Sequence, residues 1–252
     1  MKLINSEEKS LNGSLMKTVD ILDLFIKHHN ELGISDITKL TGFPKTTVFR
    51  LVNTMEQIGF LDKNIQSKKY KLGMKLFQYG SLYKDQIDLR KISLPYMKML
   101  SELFDETVNL NVLKHGKRVC IECIESKRII RNFVEVGLIC DLKYGASGKS
   151  MLAFLSQEAI NHILDECTEE VRIKKMDDLK EIRLKGYALS HSERAEGASS
   201  ISCPIFNSDK QVEGSITVSG PTIRFTEELI VEIKKKLLQL SREISIKNGA
   251  VF

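Results

Sequence analysis

No stretch of the 252-residue chain approaches the roughly 18 consecutive apolar residues that a membrane helix needs. The opening residues, MKLINSEEKSLNGS, lack the apolar centre of a signal peptide. A soluble, cytoplasmic protein is therefore expected. A disulfide framework is missing too: the five cysteines are odd in number and without framework spacing, which fits a reducing compartment. The lone CxxC, Cys120 and Cys123 in RVCIECIES, has no second pair or nearby histidines to complete a zinc set. Its segment alternates like a strand, which points positions three apart to opposite faces. Buried structural thiols are expected there, not a metal or redox site.

A catalytic set is also absent. GASGKS at 145–150 suggests a phosphate loop, but Lys143 stands where the first glycine of that motif belongs. Ser147 lacks the GxSxG surroundings of a hydrolase nucleophile. The five histidines are scattered. His28 and His29 are expected to close the first helix, where a cation is favoured, and His115 sits in a hairpin turn. His191 alone has polar neighbours, Glu193 and Glu196, which read as solvated or structural carboxylates. No enzyme activity, cofactor or metal is expected; the alternative reading is a small-molecule-metabolising enzyme with an accessory helical domain.

What the chain does have is core-forming capacity and a charge bias. It is 42% hydrophobic and 28% charged, with a formal net charge of +5, and its length allows one or two domains. Residues 31–75 hold eight basic residues (Lys39, Lys45, Arg50, Lys63, Lys68, Lys69, Lys71, Lys75) against four acids (Glu31, Asp36, Glu56, Asp62), so most of the excess lies there. That distribution suits a DNA-contacting region, and a helical protein-binding domain with a solvated face is the alternative.

The same region is patterned. Residues 1–13 read as disordered. From Ser14 to about His29, Val19, Leu22, Phe25 and Ile26 recur at helical spacing. A short helix follows, with Ser35 as its expected cap, Ile37 and Leu40 inward and Gly42 as its stop. Pro44 opens a third helix with Val48, Leu51, Met55 and Ile58 in one stripe and Gly59 at its end. Its other side carries Lys45, Thr46, Thr47, Arg50 and Asn53. Two helices joined by a short glycine-containing turn form a helix-turn-helix, and FLDKNIQSKKYKLG after it reads as a basic hairpin, a wing. Polar side chains at a helix start reach base edges in the major groove. Lys63, Lys68 and Lys69 on the hairpin suit backbone phosphates.

A helical connector follows, with Leu76, Phe77, Leu82, Ile87 and Leu89 among charges. It is expected to break before Pro95 and continue as an amphipathic helix. Its apolar residues pair with a partner subunit or pack on an adjacent domain. Beyond residue 106, strands are expected at TVNLNVL, KRVCIECI, RNFVEVG, SSISCPIFNS and QVEGSITVSG, with helices between them and a last helix from Thr226 to about Asn248. Hairpin-linked strands with interposed helices indicate an α+β domain on an antiparallel sheet.

The strings GISDITKLTGFPKTTVFRLVNTMEQIGFL and KYKLGMKLFQYG, then ETVNLNVL, YGASGKSMLAFL, LKEIRLKGYALSHSERAEGASSISCPIF and SITVSGP, together resemble the IclR family of bacterial transcriptional regulators. The resemblance spans about residues 14–245. It implies a winged helix-turn-helix DNA-binding domain at 14–73, a linker helix at 74–90 and a GAF-like effector-binding domain at 91–252. It also implies a homodimer, or a dimer of dimers, on a palindromic operator in double-stranded DNA, and a small organic acid as effector. By position it places the effector pocket at Ala146, Ser147, Ser190, His191, Ser200, Cys203, Thr217 and Ser219. Small hydroxyls and the backbone N–H groups before a helix suit a carboxylate. Two departures stand out. Many relatives carry acidic residues where this chain has Ser190, His191 and Ser192, which implies a less acidic rim and a more anionic ligand. Phe49 replaces the His or Tyr that often precedes the recognition-helix arginine, and it either packs or meets a thymine methyl.

Overall fold

The structure, a computed structural model, describes residues 13–28 and 30–252. His29 and all but the last of the residues expected to be disordered lie outside the described residues. The chain divides into two units after Gln86.

The first unit holds helices α1 (Gly13–His28), α2 (Ile34–Thr41) and α3 (Lys45–Gln57), strands β1 (Leu61–Lys63) and β2 (Tyr70–Leu72), and helix α4 (Met74–Gln86). Its core joins Ile21, Leu24 and Phe25 of α1 to Ile37, Val48, Leu51, Val52 and Met55. The rotation of α1 differs from expectation: Val19 and Ile26 are exposed, while Ile21 and Leu24 are buried. That helix is apolar on more than one side, so spacing alone leaves its inward face open. Leu40 and Ile58 are likewise exposed. Gly33, not Ser35, caps α2, and its N–H donates to Asp36 Oδ2 at 2.9 Å. Gly42 then adopts φ +72° and donates to the Thr38 carbonyl at 3.0 Å. A side chain there would meet the left-handed penalty that glycine escapes.

The second unit begins with α5 (Asp88–Phe104). The helix break falls at Ile87, whose backbone is extended, and α5 continues through Pro95. Pro95 is exposed, so its ring disturbs one hydrogen bond without disturbing the buried stripe of Leu89, Tyr96, Met97 and Leu100. Strands β3 (Thr107–Lys114), β4 (Lys117–Ile124) and β5 (Ile139–Asp141) follow, then α6 (Gly145–Leu152), α7 (Gln157–Leu164) and α8 (Glu169–Lys185). Strands β6 (Ala188–His191), β7 (Ala198–Phe206) and β8 (Val212–Pro221) and helix α9 (Glu227–Lys247) complete it. The strands form one antiparallel sheet in the order β5-β4-β3-β8-β7-β6.

Strand alternation gives the sheet two unlike faces. Val108, Leu110, Ile201, Ile205, Ile216 and Val218 pack with residues of α5 and α9 in the larger core. The alternate positions Thr107, Asn109, Asn111, Ser202, Ser215, Thr217 and Ser219 are buried too, but polar. Helix α6 packs against β6, β7 and β8, and its apolar residues share a second core with α7 and α8.

Two strand expectations change. RNFVEVG forms no strand, and the edge strand lies beyond it at Ile139–Asp141. The chain rejoins the edge of the sheet at Gly137, which has φ +93° and donates to the Cys120 carbonyl at 2.7 Å. The CxxC pair also behaves differently. A register shift sets Leu110 against Glu122 but Asn111 against Cys120, and Asn109 against Cys123. With Ile121 as the extra residue of this bulge, both cysteines face the polar side. Burial pushes their thiols up, to about 11 for Cys120 and about 12 for Cys123, which makes them poor nucleophiles at neutral pH. Among the described residues no cluster of three or more His, Cys, Asp or Glu is placed to hold a metal.

Close seating of α6 depends on Gly148, where a Cβ would come within 2.7 Å of the Leu142 carbonyl oxygen. Alanine gains ~1 kcal/mol in helix propensity, but forced overpacking costs ~1–3 kcal/mol. Gly148→Ala is therefore expected to lower the urea midpoint of the C-terminal unit, and an unchanged or raised midpoint would show that α6 does not need this approach.

Candidate nucleic-acid interface and ligand cleft

In the first unit, the side of α3 away from the core carries Lys45, Thr46, Phe49 and Arg50, all exposed, with Thr47 and Asn53 half-buried. Phe49 is 54% exposed, so it takes no part in the core and stands on the same outward side as Arg50. Lys63, Lys68 and Lys69 are exposed on the hairpin between β1 and β2. The Lys63 ammonium lies 5.4 Å from the centre of the buried Tyr70 ring.

The hairpin is braced by a residue that sequence reasoning counted only as a charge. Asn64 Oδ1 accepts from the Gln66 and Ser67 N–H groups at 2.9 and 3.2 Å, which closes the turn. Asn64 Nδ2 and Ser67 Oγ donate to the Glu31 carboxylate at 3.0 and 2.9 Å. Next to Glu31, Leu32 forms a reciprocal backbone bridge with Tyr70 at 3.0 and 2.9 Å. The donors from Asn64 and Ser67 hold the Glu31 carboxyl below its ordinary 4.5. An asparagine opening a polar turn was legible, but its partner 33 residues earlier was not.

In the second unit, a cleft of about 120 Å³ opens on the polar side of the sheet, lined among others by Asn132, Phe133, Gly145, Ser190, Arg194 and Ser200. It is smaller than the ~300 Å³ at which drug-sized pockets begin. Arg194 also lines a neighbouring opening of about 330 Å³ with Cys140, Asp141, Tyr144 and Glu193. Ser190 and Ser200 face each other in the β6–β7 register.

The other expected pocket residues are placed around this pair to differing effect. Ser219 Oγ accepts from Asn132 Nδ2 at 2.9 Å and so reaches the cleft through Asn132. Thr217 donates to Ser202 at 2.9 Å, and Ser202 meets Ser150 of α6 at 3.0 Å. Ser147 is buried, its carbonyl accepting from Ser215 Oγ at 3.3 Å, and Ala146 belongs to the apolar layer of α6–α8. Two residues are not brought to the cleft. Cys203 alternates with Ser200 and Ser202 and points into the apolar core, where burial pushes its thiol up to about 12. His191 follows Ser190 on the strand and faces the other way, with Nδ1 2.8 Å from Ser199 Oγ, which in turn lies 2.9 Å from Thr222 Oγ1.

At the start of α6 the Gly145 N–H donates to Glu193 Oε2 at 3.1 Å. Lys149, largely buried, pairs with Glu193 at 2.6 Å and Asp178 at 3.0 Å. Sequence reasoning missed Asn109, Asn111 and Arg118 on the polar face. The alternation in TVNLNVLK carried the signal for the asparagines. Arg118 is fully buried on β4, and its Nη1 donates to Asn111 Oδ1 at 3.0 Å.

Comparison with known proteins matches both parts of the chain to one family. Residues 14–64 match the IclR helix-turn-helix domain, and residues 81–246 match the bacterial transcriptional regulator IclR C-terminal domain. The HTH-type transcriptional regulator KipR of Bacillus subtilis is 33% identical over 246 residues, which cover 92% of this chain and 97% of KipR. The crystal structure of the Thermotoga maritima IclR superposes with a TM-score of 0.76 at 27% identity, over 94% of this chain and 98% of that one. An IclR homolog from Microbacterium hydrocarbonoxydans, complexed with 4-hydroxybenzoate, superposes with a TM-score of 0.79 at 23% identity, over 93% and 99% of the two chains.

Because the folded Glu31 carboxyl titrates below 4.5, its brace is complete above that pH and is lost as the pH falls through the lower folded value. Hydrogen exchange at 64–69 should therefore stay slow from neutral pH down to about 4.5, after correction for intrinsic rates, and rise below it. Asn64→Ala should give fast exchange there at neutral pH. Equal protection in the variant would show that the Leu32–Tyr70 bridge alone holds the wing.

Proposed function

The chain belongs to the IclR family of bacterial transcriptional regulators, and from that premise we propose that it is a cytoplasmic repressor released from its operator by a small organic acid. The observation that carries this reading is the outward side of α3, with its polar and basic residues, beside a basic hairpin held in place by Glu31. In the proposed complex Lys45, Thr46, Thr47, Arg50 and Asn53 enter the major groove. There Arg50 reads guanine O6 and N7, and Phe49 meets a thymine methyl. Lys63, Lys68 and Lys69 neutralise backbone phosphates. Each subunit of a homodimer, or of a dimer of dimers, takes one half of a palindromic operator. The exposed Phe77, Tyr79, Leu82 and Tyr83 of α4 suit such pairing.

The acid binds in the cleft beside Ser190, Ser200 and Asn132. Its small volume and hydroxyl-lined wall favour a compact polar ligand, and the 4-hydroxybenzoate in the structural neighbour is a carboxylic acid of this kind. Binding lowers operator affinity only to the extent that the acid prefers the arrangement that does not hold DNA.

The reading is tested by footprinting the purified protein on DNA flanking its gene, then measuring variants on the protected site. Arg50→Ala should weaken operator binding about 10- to 100-fold, the equivalent of one bidentate base contact at ~1–3 kcal/mol, and leave acid binding intact. Ser200→Val should do the reverse. Parallel loss of both activities in either variant would contradict the assignment of separate sites.

A further inference from the structure

We propose that Arg118 is an anion receptor behind the effector cleft and that, with Arg194, it selects a ligand carrying two carboxylates. This rests on the effector reading above and deepens it.

Arg118 is 0% exposed. Its Nη1 is satisfied by Asn111, while Nε and Nη2 have no hydrogen-bond partner among the described residues. Those two nitrogens form one edge of the guanidinium plane, the edge that takes both oxygens of a carboxylate side-on. Buried charges are ordinarily paired, so an unpaired one with a matched pair of open donors marks a place for an anion.

Among the described residues, the carboxylates nearby are engaged elsewhere. Glu193 is held by Lys149 and the Gly145 N–H. Glu122 pairs with Arg90, and Asp141 pairs with Lys117. What lies near is a second cation. Cys140 stands opposite Arg118 in the β4–β5 register, and Arg194 Nη2 approaches Cys140 Sγ at 3.5 Å. The charged and titratable neighbours acting on Arg118 are Arg194, Cys140 and Cys120, and burial together with Arg194 lowers its proton affinity. Two like charges thus meet beside the cleft without a carboxylate between them.

Arg194 is exposed and lines both openings. A ligand entering the cleft reaches Arg118 by displacing this long side chain, which among the described residues is held by a weak contact to sulfur. One carboxylate then docks on the Nε/Nη2 edge of Arg118. The second stays at the mouth with Arg194, within reach of Ser190, Ser200 and Asn132.

The test uses the full chain and calorimetric titration with dicarboxylates of three to six carbons, each against the monocarboxylate of equal length. At least one dicarboxylate should bind tenfold or more tightly than its counterpart, and Arg118→Met should abolish that preference. Arg118→Lys, a point charge without the fork, should keep part of it. Without ligand, Arg118→Met should melt higher than the wild type, because an unpaired buried charge has been replaced by an apolar side chain. A lower melting temperature, or a dicarboxylate preference unaffected by Arg118→Met, would overturn the proposal and leave the effector reading standing. Failure of every acid to bind the wild type would overturn both.

Discussion

Helix α6, rich in small residues, is pressed onto a sheet face built from serine, threonine and asparagine, and both surfaces lose water in the process. Everything distinctive about the C-terminal unit follows from how that desolvation is compensated. Buried hydroxyls are costly unless hydrogen-bonded. Here Ser150, Ser202 and Thr217 satisfy one another, the Ser147 carbonyl accepts from Ser215, and Asn132 donates to Ser219. The approach is close because Gly148 has no Cβ to strike the Leu142 carbonyl. Before α6 begins, at Gly145, the same polar face continues without a helix over it, and the cleft opens there. The cleft is thus the part of a buried polar face that the helix leaves uncovered.

The N-terminal unit solves a different problem with the same economy of parts. A two-stranded hairpin is marginal by itself, and its basic side chains repel one another. A single carboxylate, Glu31, receives two side-chain donors from the turn, and the adjacent Leu32 adds a backbone bridge to Tyr70. The acid sits behind the hairpin and leaves Lys63, Lys68 and Lys69 on its surface. Recognition helix and wing are therefore held by one small core and one polar brace.

Much of this was legible in the amino-acid sequence, and the failures have a common cause. Gly42 between two short amphipathic helices, the stripe Val48, Leu51 and Met55, and the hydroxyl-bearing strings of β7 and β8 all point to the observed elements. Periodicity, however, reports parity and not register. For α1 it selects Val19 and Ile26, which are exposed, where the fold buries Ile21 and Leu24. The family resemblance groups Cys203 and His191 with Ser200 and Ser190 by position, although neighbours of opposite parity on a strand face opposite ways. One bulge beside Asn111 was enough to bring Cys120 and Cys123 to the same face. Long-range partners such as Glu31 with Asn64, or Arg118 with Asn111, leave no local trace at all. Arg118 reads in KRVCIECI as an ordinary charge at a strand end, and only burial reveals it as unusual.

The central claim is that one chain carries two sites whose occupancies oppose each other. The most direct test is reciprocity: operator affinity measured by fluorescence anisotropy across a titration of the tightest-binding acid, and acid affinity measured with and without saturating operator. The acid should weaken operator binding to a plateau, and operator should weaken acid binding by the same factor, as linkage requires. Acid binding that leaves operator affinity unchanged, with operator leaving acid affinity unchanged in turn, would contradict it.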